Sequence, residues 1–167
     1  GSLSRARVKI YGVMFKNSCR VVLIALLMLI CGNGSVFAQL ADGDIITISI
    51  QTGSYGSRVT HYLSANESNN NVEDFTGSSP TKYCLWKVSK ADGENQFTFT
   101  NIGDSTKKLR HGNGNALQTN VKAGAFTLDG QKLIKVGENR YIRLNDNNNG
   151  WECRDRNYNN SITFTKW

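Results

Sequence analysis

One pattern occurs three times in the chain, and it is the feature that most restricts the fold. The three segments cover residues 43–93, 94–130 and 131–167. Each opens with an apolar strand, continues with a short strand around a Leu or Ile anchor, and closes on a strand that carries an aromatic residue. The anchors are Leu63, Leu109 and Ile142, and the closing aromatics are Trp86, Phe126 and Phe164. Repetition at about 40 residues predicts three similar supersecondary units around a shared core.

Within the segments, apolar and hydroxyl-bearing residues alternate. Residues 45–50 place three isoleucines on one side, and residues 97–100 and 162–165 alternate apolar side chains with threonine. This period of two is typical of half-buried antiparallel strands. Asn- and Gly-rich turns separate the strands, because both residues tolerate positive φ. No helical period of 3.6 residues follows residue 39, so the sequence predicts an all-β domain.

Three units of about four strands each resemble a β-trefoil, and the resemblance covers residues 43–167. In that family six strands form a short barrel and three hairpins cap one end. The resemblance is to ricin-type lectins and fascin-like trefoils, and here it suggests a secreted bacterial protein. An ordinary sandwich or up-and-down barrel is the alternative. Trefoils also include cytokines and protease inhibitors, so the fold alone does not select a function.

The first 38 residues have the layout of a secretory signal peptide. Lys16 and Arg20 precede an apolar run over residues 21–31, and a cleavage site ends at Ala38. The run has 11 residues, whereas a membrane-spanning helix needs about 20. We therefore expect no membrane span in the mature chain.

This layout divides the chain into a signal peptide with an upstream extension, residues 1–38, and a mature domain, residues 39–167. The true start is expected at Met14. A lipoprotein signal at Cys31 is a further alternative. The signal peptide predicts a secreted, periplasmic or cell-surface protein.

Removing the leader changes the charge balance. Five of the 20 basic residues and none of the 13 acidic residues precede residue 39. The mature part then carries 15 basic and 13 acidic residues, a net charge of +2. That value does not support a nucleic-acid-binding surface.

The mature part has two cysteines and two histidines. Export permits a disulfide between Cys84 and Cys153, and two separate buried thiols are the alternative. His61 and His111 lie 50 residues apart, with no metal-ligand spacing. No catalytic motif occurs, so we expect no enzyme, no metal and no cofactor. An enzyme would become plausible again if the fold brought two carboxylates, or one histidine and a nucleophile, into one cleft.

The third segment is the candidate binding site, because sugars need hydroxyl hydrogen bonds and an apolar surface against which a ring can stack. We predict a glycan or polysaccharide as the partner. The alternatives are a core position for the tryptophan, which alternates in phase with Cys153, and plain turn chemistry for the asparagines. The predicted ligand-binding residues are Asp146, Asn149, Trp151, Asp155, Tyr158 and Asn159.

The residues differ from the ricin-type pattern at two places. That family usually has Asp directly after the apolar anchor and closes on Gln-x-Trp, whereas the residues after the anchors here are Ser64, Arg110 and Arg143. The standard galactose site is therefore expected to be absent. Basic side chains near the anchors form either a patch for anionic glycans or solvated cap residues. These are Arg110, His111, Arg140 and Arg143.

The alternative function is a protein-interaction module that binds a surface protein, such as a protease inhibitor or surface adhesin. An inhibitor needs a protruding loop, and residues 69–80 are the candidate. An aromatic ring exposed beside a concavity would indicate a binding platform and not a core residue. The rings to compare are those of Trp151, Tyr158 and Tyr55.

Overall fold

A computed structural model of the protein describes residues 39–155 and 161–167. The predicted signal peptide, Tyr158 and Asn159 lie outside this part of the chain. The described part is all-β, with twelve strands and one short 3-10 helix, Lys82–Cys84. It contains no helix that is long and apolar enough to cross a membrane. The strands are β1 (Ile45–Thr52), β2 (Val59–Ala65), β3 (Val72–Phe75), β4 (Leu85–Lys90), β5 (Gln96–Asn101), β6 (Lys108–His111), β7 (Leu117–Asn120), β8 (Phe126–Asp129), β9 (Lys132–Lys135), β10 (Tyr141–Leu144), β11 (Trp151–Arg154) and β12 (Thr163–Lys166).

Four strands fall in each of the three sequence segments. The apolar opening runs form β1, β5 and β9, and the Leu or Ile anchors lie on β2, β6 and β10. The closing aromatics lie on β4, β8 and β12. The alternation and the turn residues therefore predicted the strands of this all-β domain correctly.

All strand pairs are antiparallel and belong to one sheet. Its main path runs β11-β10-β9-β8-β5-β4-β1-β2-β3. Strand β1 pairs with β2, β4 and β12, and β5 pairs with β4, β6 and β8. The second and third strands of each segment form a hairpin, namely β2–β3, β6–β7 and β10–β11.

The core is formed by the apolar side of the alternating strands. All three anchors are buried, together with Ile46, Ile48 and Ile50 of β1 and the aromatics Trp86, Phe99 and Phe126. The indole of Trp86 donates a hydrogen bond to the carbonyl of Leu63, at 2.9 Å. A buried indole N–H needs such an acceptor, so this bond allows the tryptophan to occupy the core.

Strand β1 is more buried than the alternation of its residues predicts. Thr47 and Ser49 lie on the side opposite the isoleucines, yet both are buried. Thr47 faces Leu85 on β4 and Thr165 on β12, because β1 has neighbours on both edges. Cross-strand neighbours on both flanks cover a small side chain that a two-stranded pattern would leave exposed.

The segment at 69–80 is not the protruding loop that the inhibitor hypothesis needs. Its middle forms β3, which pairs with β2. The carbonyl of Asn70 accepts hydrogen bonds from Thr119 N and Oγ1, at 2.7 and 3.2 Å, and Lys107 Nζ donates to the carbonyl of Asn69 at 2.5 Å. The segment is therefore attached to the second segment through its backbone.

The two cysteines of the described domain are buried free thiols. The disulfide between Cys84 and Cys153 is absent from the structure, and the alternative of two separate thiols describes it. Sequence spacing could not decide this point, because a bridge depends on the distance between the two Cα atoms.

Candidate functional site

The tryptophan of the predicted third-segment site is a core residue. Trp151 is 7% exposed and packs in the hydrophobic cluster. It alternates with buried Cys153 on β11, so both side chains point inward. Trp151 therefore occupies the core position that was the alternative interpretation, and its ring is not exposed as a stacking platform in this structure.

Asp146 is 61% exposed, but its carboxylate is occupied by two arginines. Its oxygens lie 2.6 Å from Arg143 Nη2 and 3.1 Å from Arg154 Nη1. The hydrogen bond from Arg143 is the main cause that lowers the pKa of Asp146 below its ordinary value. Glu152 lies 3.3 Å from Arg143 Nε. Asp146 is thus a member of an ion-pair network that holds the β10–β11 hairpin.

Two of the remaining predicted site residues, Asn149 and Asp155, lie in the described structure. Asn149 accepts a hydrogen bond from Asn145 Nδ2 at 2.8 Å, and its backbone N–H donates to Asn145 Oδ1 at 3.1 Å. These bonds are turn chemistry, which was the alternative interpretation. Asp155 is exposed at the end of β11, and the positions of Tyr158 and Asn159 fall in the undescribed stretch.

The basic side chains suggested as an anionic-glycan patch do not form one free surface. Arg143 is buried in the network above. His111 Nδ1 and Arg140 Nε lie 3.4 and 3.3 Å from Glu138. Arg140 Nη1 also donates to the carbonyl of Gly114 at 2.9 Å. His111 and Arg140 therefore meet at Glu138 between the second and third segments, whereas Arg110 Nε donates to the carbonyl of His111 at 3.3 Å.

A groove lies instead on the first segment, on the side of β2 that faces away from the core. Its volume is about 280 Å³. Thr60 and Tyr62 alternate outward along β2, and the residues after β3 close the other wall. The lining residues are Arg58, Val59, Thr60, Tyr62, Thr76, Gly77 and Ser78.

Two aromatic rings and a glycine shape the groove where β2 meets the residues after β3. Tyr62 faces Phe75 across the β2–β3 pair, with ring centroids 6.4 Å apart and planes tilted by 48°. The Phe75 ring occupies the space beside Gly77, so a Cβ added at that glycine would collide with the ring. Only glycine leaves room for this arrangement.

An exposed tyrosine lies beside the groove. Tyr55 is 95% exposed, and the guanidinium of Arg58 is 5.8 Å from the centroid of its ring. The loop that carries it turns tightly at Gly53, where φ is +89° and a Cβ would collide with the Ser57 carbonyl. Two of the three rings considered from the sequence lie in the described structure: Tyr55 is exposed next to the groove residue Arg58, and Trp151 is buried.

The sequence did not identify the rest of this site. Thr60 and Tyr62 carry a usable signal, since they alternate with buried His61 and Leu63 and must point outward. The contributions of Thr76 and Ser78 to the groove depend on the pairing of β3 with β2, and the sequence indicated residues 69–80 only as a candidate protruding loop.

A hydroxyl, an imidazole and a carboxylate lie in series behind the groove. His61 Nε2 is 2.9 Å from Thr52 Oγ1, and His61 Nδ1 is 2.7 Å from Asp74 Oδ2. This order matches the nucleophile, base and acid of hydrolytic triads. However, His61 is 5% exposed and points to the opposite side of β2 from Tyr62, and none of the three residues lines the groove.

Residues 39–155 and 161–167 contain no group of three or more His, Cys, Asp or Glu side chains that could hold a metal ion.

No protein-family model matches the sequence, and no curated protein matches it. Solved structures do match. One is described as a "PSL1a-E64 complex", with a TM-score of 0.61 and 13% identity, over 77% of this chain and 49% of that one. Another is a GH54 α-L-arabinofuranosidase soaked with a cyclic sulfate inhibitor, with a TM-score of 0.59 and 16% identity, over 77% of this chain and 32% of that one.

A mutant of a GH54 α-L-arabinofuranosidase soaked with 4-nitrophenyl α-L-arabinofuranoside gives a TM-score of 0.58 at 17% identity. The match covers 80% of this chain and 33% of that one. The chain thus spans about half of the first structure and about a third of the other two. At this identity the similarity concerns the fold: this all-β domain has the architecture of a part of each larger protein.

Proposed function

We propose that this chain is a non-catalytic saccharide-binding domain with β-trefoil architecture that acts outside the cytoplasm. The binding site is the groove on the first segment. The observation that carries the proposal is the exposed Tyr55 ring beside a concavity lined by Tyr62, Arg58 and several hydroxyl groups.

The strand pairing supports the trefoil part of the proposal. The opening and closing strands pair in the series β12–β1–β4–β5–β8–β9. The first and last members of this series approach each other, because Ile162 N donates to the carbonyl of Gln131 at 2.9 Å. Six such strands in a closed series are what a trefoil barrel requires.

The hairpins also meet in a repeated way. Thr119 N donates to the carbonyl of Asn70 at 2.7 Å, and Cys153 N donates to the carbonyl of Asn115 at 2.9 Å. Thr119 faces the anchor Leu109, and Cys153 faces the anchor Ile142. The same backbone contact thus recurs between the first and second hairpins and between the second and third, as a threefold cap predicts.

The groove supports the ligand class. A pyranose or furanose ring has an apolar face that stacks on tyrosine, and its hydroxyls both donate and accept hydrogen bonds. Thr60, Thr76 and Ser78 offer hydroxyl groups with the same versatility. The arabinofuranosidase structures are consistent with a saccharide ligand, but their low identity carries no substrate over to this chain.

A non-catalytic role is favoured by the chemistry of the lining. None of the seven lining residues is Asp, Glu or His, so no general acid or base faces a ligand there. In the Thr52–His61–Asp74 series the imidazole is buried and points to the other side of β2, so the series is better explained as a connection between strands.

A glycan array with the parent domain and a Tyr55→Ala variant tests the proposal. We expect binding by the parent and about tenfold weaker binding by the variant, with unchanged thermal stability because the ring is exposed. Trp167→Ala removes another exposed aromatic, outside the groove, and should bind like the parent. If the parent binds no glycan, or if Tyr55→Ala binds as well as Trp167→Ala, the proposal is wrong.

A further inference from the structure

We infer that the groove selects an acidic saccharide and that Arg58 contacts a uronate carboxylate of the ligand. This inference rests on the proposed function and specifies its ligand class. It comes from the charge of the groove and from the state of the one charged side chain that lines it.

Arg58 is the only charged residue among the seven that line the groove. All 13 carboxylate side chains of the protein lie in the described part of the chain, and none is within 4.0 Å of the Arg58 guanidinium. Its charge is therefore not neutralised by an ion pair within the domain. A ligand carboxylate would gain an ion pair without displacing an existing one.

Three arginines of the third segment, by contrast, are paired with carboxylates. Arg140 contacts Glu138, Arg143 contacts Asp146 and Glu152, and Arg154 contacts Asp146. Binding of an anion at those positions would compete with internal carboxylates. The cation beside the exposed tyrosine is thus better suited to an external anion than the cations of the third segment.

The position of Arg58 over the Tyr55 ring also reduces the cost of ordering. A guanidinium that stacks on an aromatic face loses less freedom when it binds, and its planar donors match both oxygens of a carboxylate. The adjacent residues Thr60, Thr76 and Ser78 also line the groove and carry hydroxyl groups that can bond to sugar hydroxyls. A uronate residue presents both kinds of group on one ring.

Isothermal titration calorimetry with matched ligand pairs tests the inference. The probes are oligomers of galacturonate, glucuronate and mannuronate, each beside its methyl ester, which keeps the sugar and removes the charge. We expect at least one acid to bind about tenfold or more tightly than its ester, with a preference that falls as salt is added.

Arg58→Gln should remove that preference, while thermal unfolding remains that of the parent because the side chain is exposed. Lys122→Gln removes an equal charge from an exposed turn away from the groove and should keep the preference. The inference is overturned if every ester binds as tightly as its acid, or if the preference survives in Arg58→Gln. Tyr55-dependent binding of neutral glycans alone would overturn the acid preference and leave the proposed function intact, whereas no saccharide binding at all would remove both.

Discussion

His61 Nδ1 lies 2.7 Å from Asp74 Oδ2, which connects β2 to β3 inside the first hairpin. The other ring nitrogen reaches Thr52 on β1 at 2.9 Å. Three neighbouring strands are therefore joined by side chains as well as by backbone hydrogen bonds. The groove is formed on the opposite side of β2 and β3, so this connection also stabilises its walls.

Replacing Asp74 by Asn should destabilise the domain by about 1–3 kcal/mol, because a buried imidazole loses its carboxylate partner. Urea unfolding followed by tryptophan fluorescence measures the change. Asp129→Asn removes an exposed carboxylate from the end of β8 and is the control. Equal stability of the two variants would show that the His61 contact is not a stabilising one.

Trp151→Ala should act on stability rather than on ligand binding. Loss of a buried tryptophan costs about 3–5 kcal/mol, since a cavity remains in the core. Thermal unfolding of Trp151→Ala and Tyr55→Ala should separate the two roles, with a large loss for the first and little change for the second. A stable Trp151→Ala domain that no longer binds glycan would place the site in the third segment.

Gly77→Ala should weaken saccharide binding with a small effect on stability. The added methyl group collides with the end of the Phe75 side chain, which can rotate away at a cost of about 1 kcal/mol. Rotation of that ring changes the wall next to Tyr62. Binding on the array and thermal unfolding measure both effects. Ser79→Ala is the control, because Ser79 is an exposed residue of the same loop that does not line the groove. Parent-like binding by Gly77→Ala would contradict this description of the wall.

Asp146 should stabilise the domain in a pH-dependent way. Its pKa is lowered from 3.8 in the folded protein, mainly by the hydrogen bond from Arg143. The contribution of Asp146 to the free energy of unfolding is therefore fully present above pH 3.8, the pKa of the unfolded chain. It is lost as the pH falls through the lower pKa of the folded protein.

Unfolding free energies of the parent and of Asp146→Asn should thus differ at neutral pH and converge in acid. Asn147→Ser changes the same turn without removing a carboxylate, so its difference from the parent should not vary with pH. A difference for Asp146→Asn that is constant with pH would contradict the ion-pair network.

Cys153 should be unreactive in the folded protein. Burial raises the pKa of its thiol to about 12, and the nearby Arg140 charge only partly opposes this effect. In residues 39–167 with Cys84→Ala, where Cys153 is the remaining cysteine, labelling by a thiol-specific disulfide reagent should be slow at pH 8 and become fast in urea. Rapid labelling of the native protein would show that this thiol is accessible.

The sequence alone determined the strands and the apolar positions of the core. The alternation of residues 45–50 and the three anchors are local patterns, because successive side chains of a strand must point to opposite sides. They predicted an all-β domain and four strands in each segment, which the described structure contains. They also left the disulfide open, since no local pattern measures the distance between Cys84 and Cys153.

Only the tertiary structure decided the candidate site. Trp151 and Tyr55 both lie beside Asn- or Gly-rich turns, yet one is in the core and the other is almost fully exposed. The difference depends on how β11 is covered and on the turn at Gly53, and neither is visible in composition. The groove joins Tyr62 to Gly77 through the pairing of β3 with β2, because a register between strands, and not a spacing along the chain, places these residues on one surface.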